Sequence, residues 1–260
     1  MKLKIKIAVI SDIHANADAL ITALDDLKGK SIDLTIVLGD ILTYGCQPKE
    51  VISILSEYQM ENPVKFIKGN HDQFYFDLQS SFKKSSYKLK KYVEESVSWT
   101  LKKISPLLLK DVFEWHDSYQ LGNVYFSHAN PFLYGDWSYV EKLQDQHRSF
   151  EELTTKNIFS GVFAHSHRQL FIGSKKNSLH EIDSYCSTDN HLDKLIINTG
   201  SIGQPRGKGL GYVILEIENN ELLRASFKKI DINLDNSIEL IRQTELSQET
   251  KEKLIHYLEI

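Results

Sequence analysis

The chain has 260 residues, of which 41% are hydrophobic and 25% charged, with a formal net charge of -4. That length can bury a full core as one large domain, and that balance excludes a disordered or a membrane-embedded class. The acidic balance argues against general nucleic-acid binding, although a local basic patch stays open. Only Cys46 and Cys186 occur, far apart and outside any metal-type spacing, which fits a reducing compartment and no disulfide. The start, Met1-Lys2-Leu3-Lys4-Ile5-Lys6, alternates apolar and cationic residues and does not read as a secretory signal. No window reaches the roughly 20 apolar residues of a membrane span, so a cytoplasmic protein is expected.

Ile5 to Ile10 reads as a buried first strand that runs into Ser11-Asp12-Ile13-His14-Ala15-Asn16. Asp12 and His14 are two apart, so in an extended segment both point to one side. Asp18 to Lys28 carries a helical stripe of Ala19, Leu20, Ala23, Leu24 and Leu27, closed by Gly29. Leu34 to Leu38 is a second strand ending in Gly39-Asp40. Pro48 opens a helix to about Met60, and Val64 to Ile67 is a third strand ending in Gly69-Asn70-His71-Asp72. Gly69 is expected to let the chain turn sharply there. Strand, helix, strand is the unit of an α/β sheet, whose ligands gather at the carboxyl ends of the strands.

Residues 73 to 120 are expected to be mostly helical and to cover the site. Phe74, Tyr75, Phe76, Phe82, Tyr87, Tyr92 and Trp99 alternate there with Lys83, Lys84, Lys88, Lys90 and Lys91. Two readings stay open: aromatics in the core under a solvated lysine face, or a lid that stacks bases and attracts phosphates. Val124 to Phe126 is a strand followed by Ser127-His128-Ala129-Asn130-Pro131, and Ser138 to Lys156 reads as an amphipathic helix. Ile158 to Phe163 is a strand ending in Ala164-His165-Ser166-His167, and Leu170 to Ile172 a short strand. Residues 173 to 193 read as a polar hairpin loop. Leu195 to Asn198 leads as a strand into Thr199-Gly200-Ser201-Ile202-Gly203-Gln204-Pro205-Arg206. Tyr212–Ile217 and Leu222–Ile230 form a hairpin around Asn219-Asn220. A helical tail begins near Asp235. The division expected is one domain over 1–260 with a helical cap inserted at about 73–120.

The strand ends collect Asp12, His14, Asp40, Asn70, His71, His128, His165 and His167. Carboxylate, imidazole and amide without thiolate suit first-row divalent metals rather than a structural zinc cluster. Shared between two ions about 3.5–4 Å apart, such ligands clamp a phosphate and activate water for in-line attack. The remaining histidines, His116, His147, His180, His191 and His256, read as ordinary surface or loop residues.

In order, Asp12-x-His14, Gly39-Asp40, Gly69-Asn70-His71-Asp72, His128 and His165-x-His167 resemble the calcineurin-like metallophosphoesterase superfamily from about residue 5 to 217. Gly39-Asp40-Ile41-Leu42-Thr43-Tyr44-Gly45 and Asn198 to Arg206 are similar to its bacterial and archaeal predicted-phosphodiesterase branch. The resemblance implies a four-layer αββα sandwich of two mixed sheets flanked by helices. It implies that Asp12, His14 and His167 hold one metal, that Asn70, His128 and His165 hold the other, and that Asp40 bridges. The ions would be manganese, iron, zinc, nickel or cobalt. His71 would hydrogen-bond the phosphoryl oxygen or protonate the leaving oxygen, and Asp72 would orient His71. Asn16 and Arg206 are further substrate-binding candidates, Arg206 as a bidentate phosphate partner or as a surface salt bridge. Ala129 and Ala164 stand where the family commonly has glycine, and Thr199 where many relatives have proline.

The function expected is metal-dependent hydrolysis of phosphate esters, with diesters of small nucleotide-type substrates favoured. A phosphomonoesterase or Ser/Thr phosphoprotein phosphatase is the alternative. A nuclease on polymers is disfavoured by the acidic charge. Of another class is a non-catalytic binding scaffold, disfavoured because His71 and every ligand position are intact.

Overall fold

A computed structural model describes residues 4–80, 89–176, 178–189, 191–207 and 209–259. In strand β1 (Lys4–Ile10) the second half, Ile7 to Ile10, is apolar on both faces because both are covered there. Ile7 and Val9 enter a core between two sheets, whereas Ala8 and Ile10 enter a core beneath helices. Helix α1 (Ala17–Leu27) follows and is capped by Asn16, whose Oδ1 accepts the Ala19 N–H at 3.1 Å. Then come β2 (Leu34–Val37), α2 (Pro48–Glu61), β3 (Val64–Ile67), α3 (Asn70–Gln79) and α4 (Lys91–Ile104). A 3-10 turn at Leu109–Asp111 leads to β4 (Trp115–His116), β5 (Tyr119–Leu121) and β6 (Val124–Phe126). The middle of the chain supplies α5 (Leu143–Thr155), β7 (Ser160–Phe163), β8 (Gln169–Lys175), β9 (Ser178–Ile182) and β10 (Ser184–Cys186). The last elements are β11 (Lys194–Thr199), β12 (Gly211–Glu218), β13 (Glu221–Lys229), α6 (Asp235–Gln243) and α7 (Gln248–His256).

One sheet runs β10-β13-β12-β1-β2-β3-β4 and the other β5-β6-β7-β11-β8-β9. Both are mixed: β1 to β4 are parallel with β12 antiparallel to β1, and β6, β7 and β11 are parallel with β5 and β8 antiparallel at their flanks. Ile36, Leu38, Phe126, Val162, Ile197 and Val213 fill the space between the sheets. Leu20, Val51, Leu55, Val97, Ile241 and Leu254 press helices onto the first sheet, and Phe150 and Leu153 press α5 onto the second. These layers are the αββα sandwich. The parallel strands of both sheets end on one side, and that side carries the chemistry.

Three stretches differ from the sequence reading. The expected helix at 138–156 begins only at Leu143; Tyr139 ahead of it stacks on His165 instead. The polar run 173–193 contains the end of β8 together with β9 and β10, because its alternating side chains pair along sheet edges. Residues 73–120 contain α3 and α4 but end in β4 and β5, one in each sheet. Phe82, Lys83, Lys84, Tyr87 and Lys88 lie outside the described residues. Phe74 and Tyr75 are buried, with the Tyr75 hydroxyl 2.6 Å from Thr43 Oγ1, so these two are core rather than lid. Lys91 is paired with Glu249 at 2.6 Å. Cys46 and Cys186 are not joined in a disulfide. Among the described residues no helix is long and apolar enough to cross a membrane.

Candidate dinuclear metal centre

The loops after β1 and β2 are laced together by main-chain bonds, Asp12 N–H to Gly39 O, His14 N–H to Asp40 O and Ala15 N–H to Ile41 O, at 2.9–3.1 Å. This lacing holds Asp12, His14 and Asp40 at positive φ, 49°, 48° and 54°, while His165 and His167 sit at 65° and 59°. Left-handed backbone at non-glycine residues is unfavourable by roughly 1–3 kcal/mol each and persists only where surroundings over-determine it. Here it turns the side chains inward from the strand ends. Ala129 and Ala164, the departures from glycine, do not have positive φ.

Gly69 corrects the sequence reading. Its backbone is extended, at φ -93° and ψ 177°. What it supplies is closeness, since a Cβ there would collide with the Asp40 carboxylate. Gly39 does need its freedom, at φ +81°, and a Cβ on it would strike the Gly69 backbone. Asn70, His71 and Asp72 are then the first turn of α3 rather than a free loop.

Two groups of buried ligand atoms result, Asp12 with His14 and His167, and Asp40 with His128 and His165, each within 4.8 Å. His167 Nε2 lies 3.3 Å and His14 Nε2 3.8 Å from Asp12 Oδ1. Asp40 Oδ2 reaches both groups, at 3.3 Å from His128 Nε2 and 3.9 Å from His14 Nε2. Asn70 Oδ1 stands 3.1 Å from His128 Nε2.

The hydrogen bonds decide whether ions fit. His14 and His167 donate from Nδ1 to the carbonyls of Leu42 (3.1 Å) and Gln204 (2.8 Å). His128 donates from Nδ1 to Leu38 O, and His165 from Nε2 to Trp137 O at 3.0 Å. A carbonyl only accepts, so each ring in its neutral form turns its other nitrogen, as a lone pair, into the centre. His14 Nε2 and His167 Nε2 are 3.0 Å apart, and Asp12 Oδ1 is buried with no hydrogen-bond partner. Facing lone pairs beside an unpartnered carboxylate oxygen repel unless a cation lies between them. The donors present therefore fit two divalent ions. Asp12, His14 and His167 would hold one, His128, His165 and Asn70 the other, with Asp40 between. Such ions supply Lewis-acid activation of a phosphate ester and of water.

The electrostatics agree. Burial alone would raise Asp12, but His167 pulls it down to about 2. Burial would lower His128, but the Asp40 carboxylate carries it up to about 9, so without ions this ring holds a proton that a bound metal would displace. Asp40 itself is held well below the usual range by His128 and His71 against its burial. Burial presses His165 down to about 3 and His71 down to about 4.

The structure moves two residues out of their expected roles. Asp72 does not touch the His71 ring. Its Oδ2 accepts the N–H groups of Asp40 (2.7 Å) and Gly69 (2.8 Å), and its Oδ1 that of Ile41 (3.2 Å). It clamps the Asp40 loop to the start of α3. The partner of His71 is Tyr44, whose buried hydroxyl is 3.1 Å from Nε2, while Nδ1 is buried without a partner. Asn16 is engaged as the α1 cap through Oδ1, and its Nδ2 donates to Gly203 O at 3.1 Å. Arg206 is half-buried. It donates from Nη2 to Gln204 Oε1 at 3.0 Å, its Nε has no partner, and the ion pairs formed by arginines among the described residues do not include it. Among the described residues, then, no surface salt bridge of Arg206 is formed. Of the other histidines, His147, His180, His191 and His256 are exposed and His116 is half-buried in β4.

Comparison with known proteins agrees with this geometry. Residues 5–199 match the family model described as calcineurin-like phosphoesterase. This chain belongs to the calcineurin-like phosphoesterase family. As a member it is a metal-dependent phosphoester hydrolase, in a family that works with two metal ions. An uncharacterized Methanocaldococcus jannaschii protein, MJ0912, is 30% identical over 265 residues, covering 97% of this chain and 98% of that one. A metallophosphoesterase from Sphaerobacter thermophilus shares the fold at a TM-score of 0.73 and 21% identity, covering 96% of this chain and 98% of its own. The hypothetical protein PH1004 from Pyrococcus horikoshii does so at 0.73 and 17%, covering 96% and 97%. Tyr44, Trp137 and Tyr139 were not singled out from sequence as site residues. Only the place of Tyr44 in the block Gly39 to Gly45 could have flagged it.

Proposed function

We propose that this phosphoesterase hydrolyses phosphodiesters of small nucleotide-type molecules at the centre joined by Asp40. The observation that carries the reading is the pair of imidazole–carboxylate groups sharing Asp40, with the unpartnered His71 Nδ1 and Arg206 Nε nearby. His71 is neutral at pH 7, because burial holds it at about 4. With Nε2 engaged by Tyr44, its remaining nitrogen is the one offered to substrate. With the Tyr44 O–H donating to Nε2, the proton of the neutral ring sits on Nδ1, and Nδ1–H donates a hydrogen bond to a phosphoryl or leaving oxygen and steadies the charge that gathers there while keeping its proton. Arg206 pairs with phosphate oxygens through its planar fork.

Two features support a diester with a planar substituent. Arg206 brings a single cation, suited to a monoanionic diester. Tyr139 stacks one face on His165 at 4.4 Å and 13° yet is 44% exposed, leaving ring surface for a base. The test is hydrolysis of a chromogenic monoester and a chromogenic diester by metal-stripped protein with each of manganese, iron, zinc, nickel and cobalt restored. The diester is expected to be preferred. His71→Ala is expected to keep two ions per chain and to lose about 10²- to 10⁴-fold in turnover. Preference for the monoester would move the assignment to a phosphomonoesterase. Loss of metal in His71→Ala would show His71 to be a ligand.

A further inference from the structure

The family match ends at residue 199, and both Arg206 and the carboxyl-terminal helices lie beyond it. Yet α7 reaches the site. Tyr257, the residue that ends this helix, lies under the Arg206 guanidinium, whose Cζ is 4.9 Å from the ring centroid. Lys253 Nζ is 4.8 Å from the same centroid. The Tyr257 ring is 6.3 Å from that of Tyr92 on α4, and Tyr92 stacks on Tyr44 at 6.1 Å and 23°. Tyr44 in turn holds His71. Rings from three distant segments thus form one wall from the catalytic imidazole to Arg206.

This wall is built rigidly. Leu254 anchors α7 at 0% exposure, and the Ser247 hydroxyl ahead of α7 donates to Glu95 of α4 at 2.6 Å. Arg206 is tied to the metal centre from the other side. Its partner Gln204 supplies the carbonyl that accepts His167 Nδ1–H. Among the described residues no carboxylate forms an ion pair with this guanidinium, and its buried Nε has no partner, so it is suited to take an anion.

We infer that α7 is part of the substrate site: Tyr257 seats Arg206 by a cation–π contact so that its free N–H groups take a non-bridging oxygen of the substrate phosphate. This rests on the reading of Arg206 as a phosphate-binding residue given above. Without the ring, a long flexible arginine must be ordered by each substrate that binds, which weakens binding and leaves the chemical step alone. Tyr257 is accordingly a positioning residue.

The experiment is steady-state hydrolysis of a chromogenic aryl diester by the metal-loaded full chain, with inorganic phosphate as competitive inhibitor. The variants are Arg206→Ala, Tyr257→Phe, Tyr257→Leu and the double variant Arg206→Ala/Tyr257→Leu. Melting temperature and metal content are recorded for each. Tyr257→Leu keeps an apolar side chain and loses the π-face; it is expected to raise KM and the phosphate inhibition constant together by about 3- to 20-fold with kcat little changed. Tyr257→Phe keeps the face and is expected to match the parent. In the Arg206→Ala background, Tyr257→Leu is expected to add nothing. If Arg206→Ala raises both constants while Tyr257→Leu leaves them at parental values, α7 is not part of the site and the inference fails, with the Arg206 reading intact. If Arg206→Ala itself changes neither, the Arg206 reading fails and the inference with it. A Tyr257→Phe variant as impaired as Tyr257→Leu would also overturn it, by showing that the hydroxyl acts and not the ring face.

Discussion

Replacing Asp72 separates a clamp from a partner of His71. Its carboxylate is fully buried and accepts N–H groups of Asp40, Gly69 and Ile41 at 2.7, 2.8 and 3.2 Å. Asp72→Ala leaves these donors without a partner, at about 1–3 kcal/mol for each buried unsatisfied group. Water entering the vacated space relieves part of this, and the 3.2 Å bond to Ile41 is the weakest. A loss of about 3–5 kcal/mol is therefore expected, which corresponds to roughly 6–20 °C in melting temperature for a chain of this size. The Asp40 loop slackens at the same time, so both ions should bind more weakly together. Asp72→Asn keeps one acceptor oxygen and turns an NH2 toward the remaining N–H, so it should fall between the parent and Asp72→Ala. The assays are thermal unfolding of metal-free protein and calorimetric titration of the metal. Parental stability and metal affinity in Asp72→Asn, with turnover reduced as far as in His71→Ala, would refute the reasoning and return Asp72 to the role of orienting His71.

Asp40→Asn should weaken both ions in parallel, because Asp40 Oδ2 is the atom that reaches both groups; one site retaining parental occupancy by metal analysis would exclude bridging. Tyr44→Phe removes the hydroxyl from His71 Nε2. It should lower kcat by about 5-fold while KM and metal content hold, since one hydrogen bond to the ring contributes about 1 kcal/mol; unchanged kcat on a poor leaving group would show that Tyr44 does not orient the ring. The cysteines should differ in alkylation. Burial pushes the Cys46 thiol up to about 12, whereas the Thr188 hydroxyl 3.1 Å away lowers that of Cys186. Only the thiolate reacts, so at pH 8 the Cys46 thiolate fraction is about 10⁻⁴ and iodoacetamide should label Cys186 first, with labelling increasing as pH rises. Peptide mapping that finds Cys46 labelled first in folded protein would contradict its burial.

The elements that carry the centre were legible in sequence because each announces itself locally. A strand whose carboxyl end is covered on both faces becomes apolar there, so Ile5–Ile10, Leu34–Leu38 and Val64–Ile67 stand out as mostly apolar runs, and the polar residues that follow stand at strand ends. The strands β9 and β10 did not stand out, since edge strands with one solvated face can be built from Ser, His and Glu. Phe74 and Tyr75 could not be divided between core and lid, because aromatic spacing is the same for either.

By itself the sequence determined which ligand types stand at the strand ends, since strand periodicity and residue chemistry are local properties. Only the tertiary structure decided what those side chains touch. Asp72 has the chemistry to orient an imidazole, but the close approach of Gly39 and Gly69 puts backbone N–H groups nearer to it than the ring of its neighbour. Asn16 could bind substrate, but the start of α1 and Gly203 take both ends of its amide. Tyr44 and Tyr257 join the site from loops and helices separated by most of the chain. A hydrogen bond or a ring contact depends on a few ångströms of separation, and such distances across 27 to 165 residues are set by how the layers pack.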